Sequence, residues 1–266
     1  MQEDLKLIDL IIELVDARIP VSSRNPDLRE LGKQKSRLVL FNKSDLADEK
    51  QNAAWAEKMK QEGAHTLFVD ARKRSTLKEL QEVIRQACRE KIERDARRGI
   101  KNRPIRAMVV GIPNVGKSTF INSYAGKAAA KTGNRPGVTK GKQWIRMGKN
   151  LELLDTPGIL WPKFEDPEVG MHLAMTGSVR DEILNGEEVA CALIELLRAS
   201  YPGRLAERYE ITEEGKDYEV LLAIAEQRKC ITKGGELSSE KAAAILLDEY
   251  RSGRLGRITL EWSEKA

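Results

Sequence analysis

The run Gly111-Ile-Pro-Asn-Val-Gly-Lys-Ser118 sets two glycines, with four residues between them, directly before a lysine and a serine. This pattern suits phosphate. Backbone N–H groups of Val115, Gly116, Ser118 and Thr119 converge at a helix N-terminus, Lys117 adds positive charge, and Ser118 offers a hydroxyl to Mg2+. A strand-to-helix turn that needs glycine for geometry alone has the same spacing, so the pattern carries weight only with companions. It has three. Asp155-Thr-Pro-Gly158 suits the loop that meets the last phosphate of a nucleoside triphosphate. Asp155 would hold Mg2+, usually through water, and the Gly158 N–H would meet the γ-phosphate. Thr139 lies in a glycine-rich basic segment, 131–139, from which its hydroxyl would close on Mg2+ only with the γ-phosphate present. Lys117, Thr139 and Gly158 are thus the expected catalytic groups.

The third companion, Asn42-Lys-Ser-Asp45, selects the base. A carboxylate accepts both the ring N1–H and the exocyclic amine of guanine, donors that adenine lacks on that edge, so Asp45 favours GTP over ATP. Asn42 is expected to brace the neighbouring loops and the stem of Lys43 to cover the base, with Ser44 between them. Asp70-Ala71 is expected to supply the last base-contact loop. Taken alone, such a tetrapeptide is a common turn.

Stepping outward, each motif follows a short apolar run fit for a buried strand: 10–15, 37–41, 66–69, 105–110 and 151–154, with 143–147 forming a hairpin with the last. Helical patterns fall at 48–61, at 76–98 as one long amphipathic helix, and from 119 to 125. Alternating strands and helices predict an α/β fold, a mostly parallel sheet with helices on both faces and ligands at the strands' carboxyl ends. From Asp181 the texture turns helical, at 187–199, 218–230 and 239–250, with Ser238 or Ser239 as an N-cap. The expected division is therefore a nucleotide-binding domain at 1–178 and a smaller all-α domain at 179–266.

Charge is unevenly spread. The net charge is +5, but residues 1–178 carry a balance of +10 and residues 179–266 one of −5. No acidic residue occurs between Ala96 and Leu151, against 13 basic ones. One-signed stretches of this kind favour a polyanion such as RNA over a merely solvated face. Three widely spaced cysteines, Cys88, Cys191 and Cys230, and two histidines match no metal-site spacing and fit a reducing compartment. No apolar run reaches a membrane span. A cytoplasmic monomer is expected, binding neither membrane nor DNA.

The order of the motifs is unusual, because the base-recognition residues precede the phosphate loop. In that order, and in the runs Val15-Asp-Ala-Arg-Ile-Pro20, Arg135-Pro-Gly-Val-Thr139, the stretch from Leu153 to Asp166 and Gly253-Arg-Leu-Gly-Arg257, the chain resembles the circularly permuted GTPases of ribosome assembly, the RbgA/YlqF family, over essentially its whole length. The resemblance implies a circularly permuted P-loop GTPase domain followed by a helical RNA- and ribosome-binding domain. It also implies GTP hydrolysis on a precursor of the large ribosomal subunit and its rRNA, with release after hydrolysis. It makes Asn114 a K+ ligand. It gives the water-orienting role, which Ile159 cannot fill, to a histidine in an amino-terminal Pro-Gly-His segment. From Met1-Gln-Glu-Asp-Leu5 onward the sequence has no such segment, and neither His65 nor His172 lies in a matching context. Either the chain is trimmed or the water is aimed another way. In the helical domain, Arg228, Lys229, Lys233, Arg251, Arg254 and Arg257 are the expected RNA contacts. Two other readings share these features: a GTPase of RNA modification, and a GTP-gated RNA tether with negligible turnover.

Overall fold

The computed structural model describes residues 5–25, 35–100, 103–126, 143–156, 166–179 and 185–264. The chain divides into two compact units, Met1–Lys163 with Glu261–Ala266, and Phe164–Leu260. In the first, the apolar runs become β1 (Leu10–Asp16), β2 (Ser36–Asn42), β3 (His65–Val69), β4 (Ile105–Val110), β5 (Gln143–Met147) and β6 (Leu151–Asp155). They form one sheet in the order β3-β2-β1-β4-β6-β5, parallel except where β5 pairs antiparallel with β6. All seven residues of β1 are buried, as a central strand covered on both faces requires. Val15, Val39 and Phe41 pack with Trp55 and Met59 of α1 (Glu49–Gln61). The side chain of Asp48 starts that helix by accepting the Lys50 and Gln51 N–H groups. Ile11, Met108, Val110 and Leu154 enclose Leu5 and Ile8.

β1 and β4 lie side by side at the centre, each starting one half of the sheet. The strand order reverses between them, and the crevice at their carboxyl ends is where such sheets bind ligands. A chain beginning at β4 would traverse the same sheet with the motifs in the usual order. The expected permuted α/β architecture is the observed one.

Two expectations are corrected. The long helix at 76–98 is broken into a 3-10 turn (Arg74–Leu77), α2 (Leu80–Ala87) and α3 (Arg89–Arg97). Leu80, Ile84 and Cys88 are buried, whereas α3 buries no residue. Beyond Cys88, therefore, no core contact holds both pieces on one axis. The boundary at 178/179 also moves. After α4 (Lys117–Ala125), α5 (Pro167–Met175) already belongs to the helical unit. Asp166 caps it by accepting the Glu168 N–H at 2.9 Å, with Pro167 in its first turn, a start signal legible in the sequence.

The helical unit continues with α6 (Gly186–Ser200), α7 (Arg204–Tyr209), α8 (Asp217–Gln227) and α9 (Ser239–Ser252), the last capped by Ser238. Leu193, Leu197, Leu221, Ile224, Leu246 and Tyr250 build its core. Several arginines expected at RNA are committed inside this unit. Arg251 donates to the Met175 and Ala174 carbonyls at 3.0 and 2.7 Å. Arg228 reaches Glu249 at 3.3 Å and lies over the Tyr209 ring. Arg254 pairs with Asp248. Glu249, nearly buried, also takes Arg208 through two bonds of 2.8 Å. No helix among the described residues is long and apolar enough to cross a membrane.

Candidate nucleotide-binding site

At the end of β4, Gly111 passes so close to β1 that a Cβ would stand 2.7 Å from the Leu14 carbonyl oxygen. The loop then curls through Asn114 (φ 57°) and Gly116 (φ 102°) before Lys117 opens α4. Gly116 is required twice, for its left-handed backbone and because a Cβ would collide with the Asn42 side-chain amide. Asparagine tolerates left-handed φ better than most residues, so Asn114 has a backbone reason for its identity. The buried Lys117 side chain arches back, its Nζ donating to the Gly111 and Ile112 carbonyls at 3.0 and 3.4 Å. Burial pulls its pKa down to about 8, against the opposing pull of the Asp155 carboxylate.

Asp155 ends β6 fully buried, in register with Val109. Thr156 fixes that end, its hydroxyl donating to the Val109 carbonyl at 2.8 Å. The phosphate loop and the Asp155 loop are thus anchored to one strand, β4. A buried carboxylate here and the Ser118 hydroxyl in the first turn of α4 form the hard oxygen donor set that suits Mg2+. Among the described residues, no cluster of His, Cys, Asp and Glu offers a rival metal site. Thr139 and Gly158 lie outside the described residues, as does Ile159.

The base side is built from side chains. Asn42, buried at the end of β2, bridges two loops: Nδ2 donates to the Val115 carbonyl at 2.7 Å and Oδ1 accepts the Ala71 N–H at 2.9 Å. Its bracing role is therefore literal, joining the phosphate loop to the last base loop. Lys43, in left-handed conformation (φ 58°), sends its ammonium to Asp16 at 2.8 Å. Ser44 donates to the Val69 carbonyl through both its N–H and its hydroxyl. Asp45 accepts Arg72 at 2.7 Å, and the same guanidinium holds Asp70 at 2.9 and 3.1 Å.

Three contributors have no role assigned by the sequence motifs: Asp16, Arg72 and Thr156. Asp16 is fully buried and takes both Arg18, at 2.9 and 2.8 Å, and Lys43. Burial alone would raise its pKa, but the two cations outweigh it and hold the carboxyl far below the usual range. Asp16 and Thr156 lie inside the runs Val15–Pro20 and Asp155–Gly158, and Arg72 directly follows Asp70-Ala71, so position in or beside a motif is the one signal the sequence carries for them.

The geometry agrees with what the chain resembles. The family model described as "50S ribosome-binding GTPase" matches residues 106–226. Ribosome biogenesis GTPase A of Bacillus cereus is 47% identical over 264 residues, covering 99% of this chain and 89% of that protein. Two solved structures of YlqF, one of them a crystal structure of the T. maritima protein, align with 99% of this chain. The GDP-bound form has TM-score 0.71, 25% identity and 98% of its own length covered. The GNP-bound form has TM-score 0.70, 26% identity and 96% covered.

Proposed function

We propose, from the premise that this chain belongs to the ribosome biogenesis GTPase A family, that it is a GTP-hydrolysing assembly factor whose particle is a precursor of the large ribosomal subunit. The observation that carries the nucleotide assignment is Asn42, whose one amide ties the phosphate loop to the base loop. A site assembled in this way recognises phosphate and base together.

In the reaction, the phosphate-loop backbone and Lys117 bind the phosphates, and Asp45 reads guanine. Ser118, Asp155 and Thr139 are the residues that would hold Mg2+, which would supply charge neutralisation at the phosphates. Gly158 would meet the γ-phosphate, and Asn114 would hold K+ against the phosphates. The γ-phosphate loop leads directly into the helical unit, so the two nucleotide states are read out along the shortest chain path. rRNA is the polyanionic partner. Within the helical unit, contact falls to the exposed Lys229 and Lys233 and not to Arg228, Arg251 or Arg254, which have structural partners. The site of action is the cytoplasm.

The test is GTP hydrolysis with and without large subunits, in K+ and in Na+. Stimulation by particles and by K+ is expected. Stimulation by particles in both salts would remove K+ from Asn114. Basal turnover in every condition would favour the GTP-gated tether.

A further inference from the structure

The chain returns from the helical unit to the nucleotide-binding unit at Glu261, and the returning residues contact both segments that flank the base motif. On one side is α1, which follows Asn42–Asp45. Trp55 Nε1 donates to the Glu261 carbonyl at 2.8 Å, Lys58 Nζ to the Ser263 carbonyl at 3.1 Å, and Gln51 Oε1 accepts the Ser263 N–H at 3.4 Å. On the other side is the loop after β1. The Glu261 carboxylate, 9% exposed, accepts the N–H groups of Val21 and Ser22 and the Ser22 hydroxyl.

From that loop, a path of hydrogen bonds joined by adjacent backbone leads to the base motif. Ser23 Oγ accepts the Asp16 N–H at 3.0 Å and donates to the Ile19 carbonyl at 2.6 Å. The Ala17 N–H donates to the Asn42 carbonyl at 2.9 Å. The Asp16 carboxylate holds the Lys43 ammonium. A buried carboxylate is costly unless its oxygens are satisfied. An apolar plug would cover the loop at lower cost, but only a multiple acceptor fixes the directions of Val21 and Ser22.

We infer that Glu261 is a positioning residue for the guanine site, through which the returning carboxyl-terminal segment of the nucleotide-binding unit sets nucleotide affinity. The inference rests on reading Asn42–Asp45 as the base site. Loosening this strap frees the 17–23 loop, then Asp16, then Lys43, and nucleotide leaves faster.

The test uses the full chain, with dissociation of a fluorescent GDP followed by stopped flow and thermal melting measured alongside. Glu261→Ala should weaken GDP binding about tenfold, as expected for lost charge-assisted hydrogen bonds, mainly through faster release. Glu261→Gln, which still offers an acceptor, should recover most of the affinity. Ser23→Ala should also weaken binding, and combined with Glu261→Ala should add little, since both act along one path. A lowered melting temperature with unchanged GDP affinity would overturn the inference and leave Glu261 merely structural. Should Glu261→Ala fail to fold, wild-type affinity in Ser23→Ala would overturn it as well. The base-site reading is tested apart: if Asp45→Asn keeps the wild-type preference for GDP over XDP, that reading falls, whatever the strap variants do.

Discussion

At the base end of the site, four consecutive residues, Asn42 to Asp45, are tied by side chains to three neighbouring segments: the phosphate loop at Val115, the end of β1 at Asp16, and the end of β3 with its loop at Val69, Ala71 and Arg72. At the phosphate end, the loop from Gly111 to Lys117 is shaped by backbone, by two glycines that admit no Cβ and by a lysine held on main-chain carbonyls. The difference follows from the ligand. A phosphate is read by any converging set of N–H groups and a charge, which a helix N-terminus provides locally. A base is read by directional bonds on a flat edge, and side chains can hold that direction only if other loops hold them. The base end therefore depends on distant side chains for the direction of its own bonds, whereas at the phosphate end distant residues, Leu14 and Asn42, chiefly limit the space around Gly111 and Gly116.

Asp45→Asn tests the directional half most severely. Guanine discrimination should fall by about a thousandfold or more, because a buried donor–acceptor mismatch is rejected strongly, and XTP should become the preferred nucleotide in competition binding. Lys117→Ala tests the charge half. Single-turnover hydrolysis should drop by about a hundred- to a thousandfold, the usual scale for losing one transition-state donor, with base preference intact. If base preference also changes, the two ends are not separable as described.

Asn42→Ala cuts the one amide shared by both ends. It should cost about 1–3 kcal/mol through two broken buried hydrogen bonds, seen as a lower melting temperature together with weaker GDP binding by calorimetry. The smallest effect is one of pH. Phosphates stabilise the charged form of Lys117, whose pKa in this structure is about 8. Nucleotide binding near pH 8.5 should therefore take up a proton, and affinity should fall by at most about tenfold per unit above pH 8. Calorimetry in buffers of different ionisation enthalpy reads this directly, and Lys117→Arg should abolish it.

The phosphate loop, the base motif and the strand preceding each were legible because local pattern and local chemistry coincide there. Asn42 was even assigned its bracing role. Asp16 and Arg72 were not legible as site residues. Asp16 lies 27 residues from Lys43, and Arg72 lies 27 from Asp45, and nothing in the spacing says that β1, β2 and β3 are neighbours in that order. The kink at Cys88 and the early start of the helical unit at Pro167 were missed for a related reason. Helical periodicity reports which face is apolar but not where the core ends. The partners of the helical arginines were equally illegible: Arg228 and Arg251, expected at RNA, pair with Glu249 and with the carbonyls at the end of α5.

By itself the sequence determined the proposed chemistry, with Gly111–Ser118 as the candidate phosphate loop and Asp45 as the candidate guanine reader, and a sheet entered from an unusual starting point. Short-range residue order suffices for that, because a strand, a tight turn and a helix N-terminus are built within a dozen residues. Only the tertiary structure decided how the base motif is held in place. The parallel sheet sets the ends of β1, β2 and β3 side by side, and the returning carboxyl-terminal segment brings Glu261 to the loop after β1, 239 residues away from Ser22. Such contacts have no local signature, since they exist only once the chain has closed on itself.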